Sequence, residues 1–289
     1  MEFVVDDQKS IEFSELTRSQ LPALHLLQNL GYTYLSPREA LALRGGRADA
    51  VLLESVLLDW LARNNEIQYH GQRYPFSEAN IHTAVQVLKE TLSIGLLRTN
   101  EGIFDLLSLG KSLPQSVNGS LKSFSLRYID WEHPEKNVYH VAEEFAVERR
   151  GSHETRRPDL VLFVNGIPFG VIECKSPDLK DSIAQAISQQ IRNQKEDEIP
   201  ALFQYAQVLL AISGNEAKYG TVGTPARFWS VWKEESGEFE KALKATVDQP
   251  LSRWRFLSKT VLVRWLVDFS LSLTLSVTVG TGFVLAFHL

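Results

Sequence analysis

Cysteine is almost missing from this chain: Cys174 is the only one in 289 residues. A single thiol forms no intramolecular disulfide and cannot build a multi-cysteine zinc site, which points to a reducing, cytoplasmic setting. A surplus of positive charge is missing too. With 30 Lys and Arg against 35 Asp and Glu, the net charge is −5, which argues against coating nucleic acid by bulk charge while leaving a local basic patch open. The seven histidines form no H-E-x-x-H, and there is no G-x-S-x-G elbow and no dinucleotide-binding fingerprint after a strand. The N-terminal "MEFVVDDQKSIEF" lacks the basic region and long apolar run of a secretory signal. What is present is an ordinary globular composition, 44% hydrophobic and 22% charged, enough for one large domain or two small ones.

Local signals divide the chain by texture. Helical spacing runs from Leu16 to Leu30, and "LSPREALALRGGR" reads as Ser36 at the N-cap, Pro37 at the first helical position and Gly45-Gly46 as the stop. "RADAVLLESVLLDWLARNN" and "SEANIHTAVQVLKETLSIGLL" predict two further amphipathic helices, the second opened by Ser77. "KSLPQSVNGS" reads as a loop. Beyond it the runs "FSLRYIDW", "VYHVAEEFAVE", "DLVLFV" and "IPFGVIECK" predict strands, "DSIAQAISQQIRNQKE" a helix, and "AQVLLAIS" and "ARFWSVWKE" later strands. Strand, strand, helix, strand is an α/β unit. The expected layout is a helical portion over 1–115, joined in one domain with an α/β core over 116–235, and then a tail over 236–289. Within that tail Phe269 to Phe287 carries no charge and is long enough to span a bilayer, but Leu and Val alternate with Ser and Thr in a strand-like period, so no membrane span is expected.

The most informative stretch is "RRPDLVLFVNGIPFGVIECKSP", Arg156 to Pro177. Asn165-Gly166 between two apolar runs is a strong hairpin signal, because both residues tolerate the positive φ of a primed turn. A strict two-residue loop pairs Asp159 with Ile172 and puts Glu173 and Lys175 on the other face. A three-residue loop, or one bulge near Pro168 or Gly170, shifts the pairing, sets Asp159 opposite Glu173 and brings Lys175 onto the same face. Opposed Cβ atoms are about 5 Å apart, so the two carboxylates repel unless a cation sits between them. Mg²⁺ suits two carboxylates and a backbone carbonyl such as that of Cys174, with Lys175 placed to orient a water or a phosphate oxygen. The implied reaction is phosphodiester hydrolysis. A Glu-x-Lys pair alone is more often a solvated ion pair; the Pro-Asp fourteen residues earlier and the turn between them are what lift the functional reading.

Those residues carry a resemblance. The stretch resembles the PD-(D/E)xK nuclease core of the R subunit of type I restriction enzymes, with Asp159, Glu173 and Lys175 at the motif positions. The likeness extends from about Leu16 to about Glu235. It implies a restriction-endonuclease-like central mixed sheet flanked by helices, with a helical N-terminal portion, acting as a Mg²⁺-dependent DNA endonuclease. Such nucleases support the site with a Gln-x-x-x-Tyr on the next helix; Gln189 fits the Gln, and Asn193 stands where the Tyr is expected. A polar helix face of Gln185, Gln189 and Asn193 explains that spacing equally well. The family also tends to carry an acidic residue on a helix ahead of the sheet, and Glu54 is a candidate outside the core set. Arg149, Arg150, Arg156 and Arg157 are candidates to grip the DNA backbone.

The resemblance further implies partner subunits for methylation and specificity, and ATP used only through a motor. No Walker A motif occurs in this sequence, so it reads as the nuclease region without its translocase, and the unusual tail after about Arg253 suggests a disrupted frame. The competing expectation is a silent DNA-binding or subunit-assembly module on the same fold. The DNA target is not legible, because another subunit reads it in the resembled system.

Overall fold

The computed structural model describes residues 19–90, 95–214 and 216–231. The N-terminal part runs α1 (Leu21–Asn29), β1 (Thr33–Leu35), α2 (Pro37–Leu43), α3 (Glu54–Asn64), the hairpin β2 (Glu66–Tyr69) and β3 (Gln72–Pro75), α4 (Glu78–Lys89) and α5 (Leu96–Leu109). A second hairpin, β4 (Lys111–Val117) and β5 (Ser120–Leu126), leads to β6 (Tyr139–Glu143), the short pair β7 (Val147–Glu148) and β8 (Thr155–Arg156), then β9 (Leu160–Val164) and β10 (Ile167–Lys175). The chain continues through α6 (Ser182–Asn193), α7 (Pro200–Phe203), β11 (Val208–Ser213), β12 (Glu216–Gly220) and β13 (Ser230–Val231).

Seven strands form one mixed sheet in the order β1-β6-β9-β10-β11-β12-β13. The β1–β6 and β10–β11 pairs are parallel and the others antiparallel. The parallel β10–β11 pair needs a crossover, which α6 and α7 supply. β9, β10 and β11 are buried along almost their whole length, as central strands covered on both faces must be. One apolar cluster, from Ala23 to Trp229, joins the N-terminal helices to the sheet. The expected α/β fold with a central mixed sheet is the one observed.

Several boundaries follow the local chemistry read from the sequence. Ser36 caps α2 in a full capping box with Glu39, Pro37 opens the helix, and Gly45 and Gly46 leave it at φ 69° and 75°. Ser77 caps α4 through the Asn80 N–H. Others differ. The single helix expected from Ser77 to Leu97 is two, because α4 ends at Lys89 and α5 starts after Gly95, whose φ of 91° no helix accommodates. The expected loop "KSLPQSVNGS" is mostly strand β4, ending in a second Asn-Gly turn at Asn118 and Gly119 with φ of 50° and 79°. The expected strand "ARFWSVWKE" gives a 3₁₀ turn at Ala226–Phe228 and only the two-residue β13 among the described residues. No helix among the described residues is long and apolar enough to cross a membrane, and Phe269 to Phe287 lie outside them, as does the rest of the tail.

Candidate functional site at the open end of the central hairpin

The β9–β10 hairpin is tight at one end and irregular in the middle. At the turn Asn165 and Gly166 take φ of 52° and 82°, and Val164 pairs with Ile167. Pro168 still pairs with Phe163, but the next pair is Gly170 with Leu162, so Phe169 is an extra residue on β10. The local sequence suits this bulge. Gly170 takes the crowded position, where an added Cβ would lie 3.1 Å from Val208 Cγ1 and 3.2 Å from Leu162 Cδ1. The shifted register continues to Ile172 opposite Leu160, so one residue on, Glu173 lies across from Asp159. Of the two registers open to the sequence, the bulged one forms.

Asp159 and Glu173 are therefore packed side by side and desolvated, at 7% and 0% exposure. The Cys174 N–H donates to Asp159 Oδ2 at 2.6 Å, which fixes that carboxylate against β10. Gln189, projecting from α6, donates through Nε2 to Glu173 Oε2 at 2.6 Å. The other oxygen, Glu173 Oε1, is buried and accepts no hydrogen bond from a donor among the described residues. Burial first, and the Asp159 charge second, push the Glu173 carboxyl well above its usual range. Lys175 follows on the same face, half-buried, and its Nζ donates to the Cys174 carbonyl at 2.9 Å. The Ser19 hydroxyl donates to the Lys175 carbonyl at 2.9 Å, pinning the end of β10.

The donor set is all oxygen: two carboxylates and the Cys174 carbonyl. Such a set matches a hard divalent cation, and the orphaned Glu173 Oε1 is a buried acceptor of the kind a cation satisfies. The residues present thus fit Mg²⁺.

Other candidates sit elsewhere. Glu54 begins α3, which docks on the turn: the Leu53 N–H donates to Gly166 O at 2.8 Å, and Glu54 itself pairs with Lys89 at 2.6 Å. Five β9 residues separate that turn from Asp159, roughly 17 Å of strand, so Glu54 is not brought to the carboxylate pair. Arg149 faces Glu154, Asp197 and Glu198, Arg150 faces Glu196, and Arg156 holds Glu198 through two nitrogens at 2.6 and 3.0 Å. Arg157 is exposed, two residues before Asp159. Asn193 is buried and its Oδ1 accepts from Arg192, while Gln185 donates to the Lys180 carbonyl. An acidic group not anticipated from sequence, Asp130 with Glu132 and His133, has ligand atoms within 4.8 Å of one another, but Arg127 and Lys136 approach Asp130 to 3.9 and 4.0 Å and offset its charge.

A central mixed sheet crossed over by α6, with paired acids and a lysine at a strand end, defines a restriction-endonuclease-like α/β domain. Comparison with known proteins narrows this class. The family model described as the type I restriction enzyme R protein N terminus matches residues 12–228. The chain belongs to that family. It is 31% identical over 215 residues to the MjaIXP type I restriction enzyme endonuclease subunit of Methanocaldococcus jannaschii, covering 73% of this chain and 20% of the relative. It is 27% identical over 217 residues to the HindI endonuclease subunit of Haemophilus influenzae, covering 73% of this chain and 19% of that protein. The chain thus matches about a fifth of the length of these relatives.

Proposed function

We propose that this chain carries the Mg²⁺-dependent DNA endonuclease site of a type I restriction R subunit, and that the site is the open end of the β9–β10 hairpin. The observation that carries the reading is the bulge at Phe169, which sets Asp159 across from Glu173, whose buried Oε1 faces no donor among the described residues. Asp159, Glu173 and the Cys174 carbonyl would hold the cation. When bound, it would acidify water and stabilise charge on the phosphate under attack.

The chain's own groups supply the rest. Glu173, its carboxyl held high by burial and by Asp159, gives up its proton before it can serve as a ligand. Gln189 holds the far oxygen of Glu173 and keeps its carboxylate turned toward Asp159. The Lys175 ammonium orients the attacking water or a phosphate oxygen from the same strand face. Arg157, exposed beside Asp159, contacts the DNA backbone, whereas Arg149, Arg150 and Arg156 are engaged by acidic residues and brace the loop instead. In this reading the protein works on DNA in the cytoplasm, beside methylation and specificity subunits, with ATP consumed by a motor outside the nuclease fold.

The test is Mg²⁺-dependent nicking of supercoiled plasmid by the full chain beside Asp159→Ala and Lys175→Ala, with calorimetric cation titration of all three. Cation binding lost in Asp159→Ala, and cleavage lost in both variants, support the site. Folded wild-type protein that neither binds the cation nor cuts would move the reading to a silent assembly module.

A further inference from the structure

The neighbouring strand offers one more polar group to the same face. β11 runs parallel to β10 with Glu173 beside Ala211 and Lys175 beside Ser213. Residues paired in this way point to one side of the sheet, so the Ser213 hydroxyl lies on the face that carries Asp159, Glu173 and Lys175. Ser213 is 5% exposed, and its Oγ has no hydrogen-bond partner among the described residues. Two orphaned oxygens, Ser213 Oγ and Glu173 Oε1, therefore flank Lys175 on adjacent strands.

The position of Ser213 is fixed from behind. The next N–H, that of Gly214, donates to Ser19 Oγ at 3.1 Å, and the same Ser19 hydroxyl donates to the Lys175 carbonyl. Ser19 thus ties the ends of β10 and β11 together and holds Ser213 level with Lys175. Ala211, beside Glu173, contributes only a methyl group to that face. A buried hydroxyl without a partner is rare enough in a folded core to require an explanation. Here the explanation is a partner that arrives with the ligand.

We infer that Ser213 is a positioning residue of the nuclease site, its hydroxyl donating to an oxygen, from water or phosphate, that accompanies the bound cation beside Lys175. This rests on the endonuclease reading of the hairpin. Partners in this outer layer commonly change metal affinity by roughly 10–100-fold when removed.

The experiment is calorimetric titration of the full chain with Mn²⁺ alone, for wild type, Asp159→Ala, Ser213→Ala and Ser213→Thr, with melting temperatures of the cation-free proteins. The expected result is a loss of about tenfold in Mn²⁺ affinity for Ser213→Ala, an unchanged or raised melting temperature, and recovery of most of the affinity in Ser213→Thr. Unchanged affinity in Ser213→Ala overturns the inference while leaving the hairpin site intact. Equal losses in the Ala and Thr variants also overturn it, because the hydroxyl is then not what matters. Wild-type protein that binds no Mn²⁺ removes the endonuclease reading itself, and this inference with it.

Discussion

The two ends of the β9–β10 hairpin bury polar side chains in opposite ways. At the turn Asn165 is fully buried and fully satisfied: its N–H donates to Val138 O, its Oδ1 accepts from the Val138 N–H, and its Nδ2 donates to Tyr128 O and Asn137 Oδ1. At the open end two carboxylates are pressed together, and among the described residues one oxygen of Glu173 meets no donor and the hydroxyl of Ser213 no partner. The satisfied end specifies the fold, since every donor there is answered by a strand or loop it locks in place. The carboxylate end instead buries polar atoms that no described residue satisfies, which costs stability.

If that contrast holds, variants at the two ends separate activity from stability. The largest effect belongs to the open end: Asp159→Ala and Lys175→Ala lower the plasmid nicking rate by at least about 10²–10³-fold, with denaturation midpoints near wild type. Asn165→Ala does the reverse. It strands the Val138 N–H and Tyr128 O, removes one of the two donors to Asn137 Oδ1, and places alanine at positive φ, which costs about 3 kcal/mol. Urea denaturation at unchanged slope measures it. A loss in Asn165→Ala no larger than in Asp159→Ala would erase the distinction between the ends.

A smaller effect sharpens it. Glu173→Gln keeps the shape of the side chain, can still accept from Gln189, and offers Asp159 a donor in place of a second buried acid. The cation-free variant should be more stable than wild type at neutral pH by about 1–2 kcal/mol. Adding Mn²⁺ should stabilise wild type alone and reverse the order. Thermal melts with and without the cation check both, and a variant less stable than wild type without cation would mean that Glu173 is not under strain.

Much of this contrast was readable from the residues. The Asn-Gly dipeptide announced the turn, and a shared face for Asp159 and Glu173 called for a three-residue loop or a bulge near Pro168 or Gly170; the bulge at Phe169 is what forms. Gln189 was legible only through the likeness to related nucleases, and its 2.6 Å bond to Glu173 now gives it a physical role. What stayed hidden depends on pairing between distant segments. Ser213 has no local signature, because its importance arises only when β11 aligns it with Lys175, 38 positions earlier. Glu54 stayed a candidate outside the core set for the same reason: its spacing says nothing of the α3 docking that fixes it at the turn end. The hairpin β4–β5 was missed although Asn118-Gly119 carries the same signal as Asn165-Gly166, since the flanking polar residues of an exposed ribbon lack the apolar runs that made the central hairpin plain.

The turn half of the sheet has an orphan of its own, and it sets the smallest prediction. His140 on β6 pairs with Phe163, is 9% exposed, and its Nδ1 has no partner among the described residues. Burial lowers its pKa below the usual 6.5, so the folded chain keeps the imidazole neutral where the unfolded chain begins to protonate it. The unfolded state then binds more protons as pH falls below 6.5, and stability is lost in that direction until the folded-state value is reached. His140→Gln keeps a polar side chain but cannot titrate, so the urea midpoint should fall less steeply with acid than in wild type. An equally steep fall would assign the acid sensitivity to other groups and leave the turn half without a titrating weak point, widening its difference from the carboxylate end.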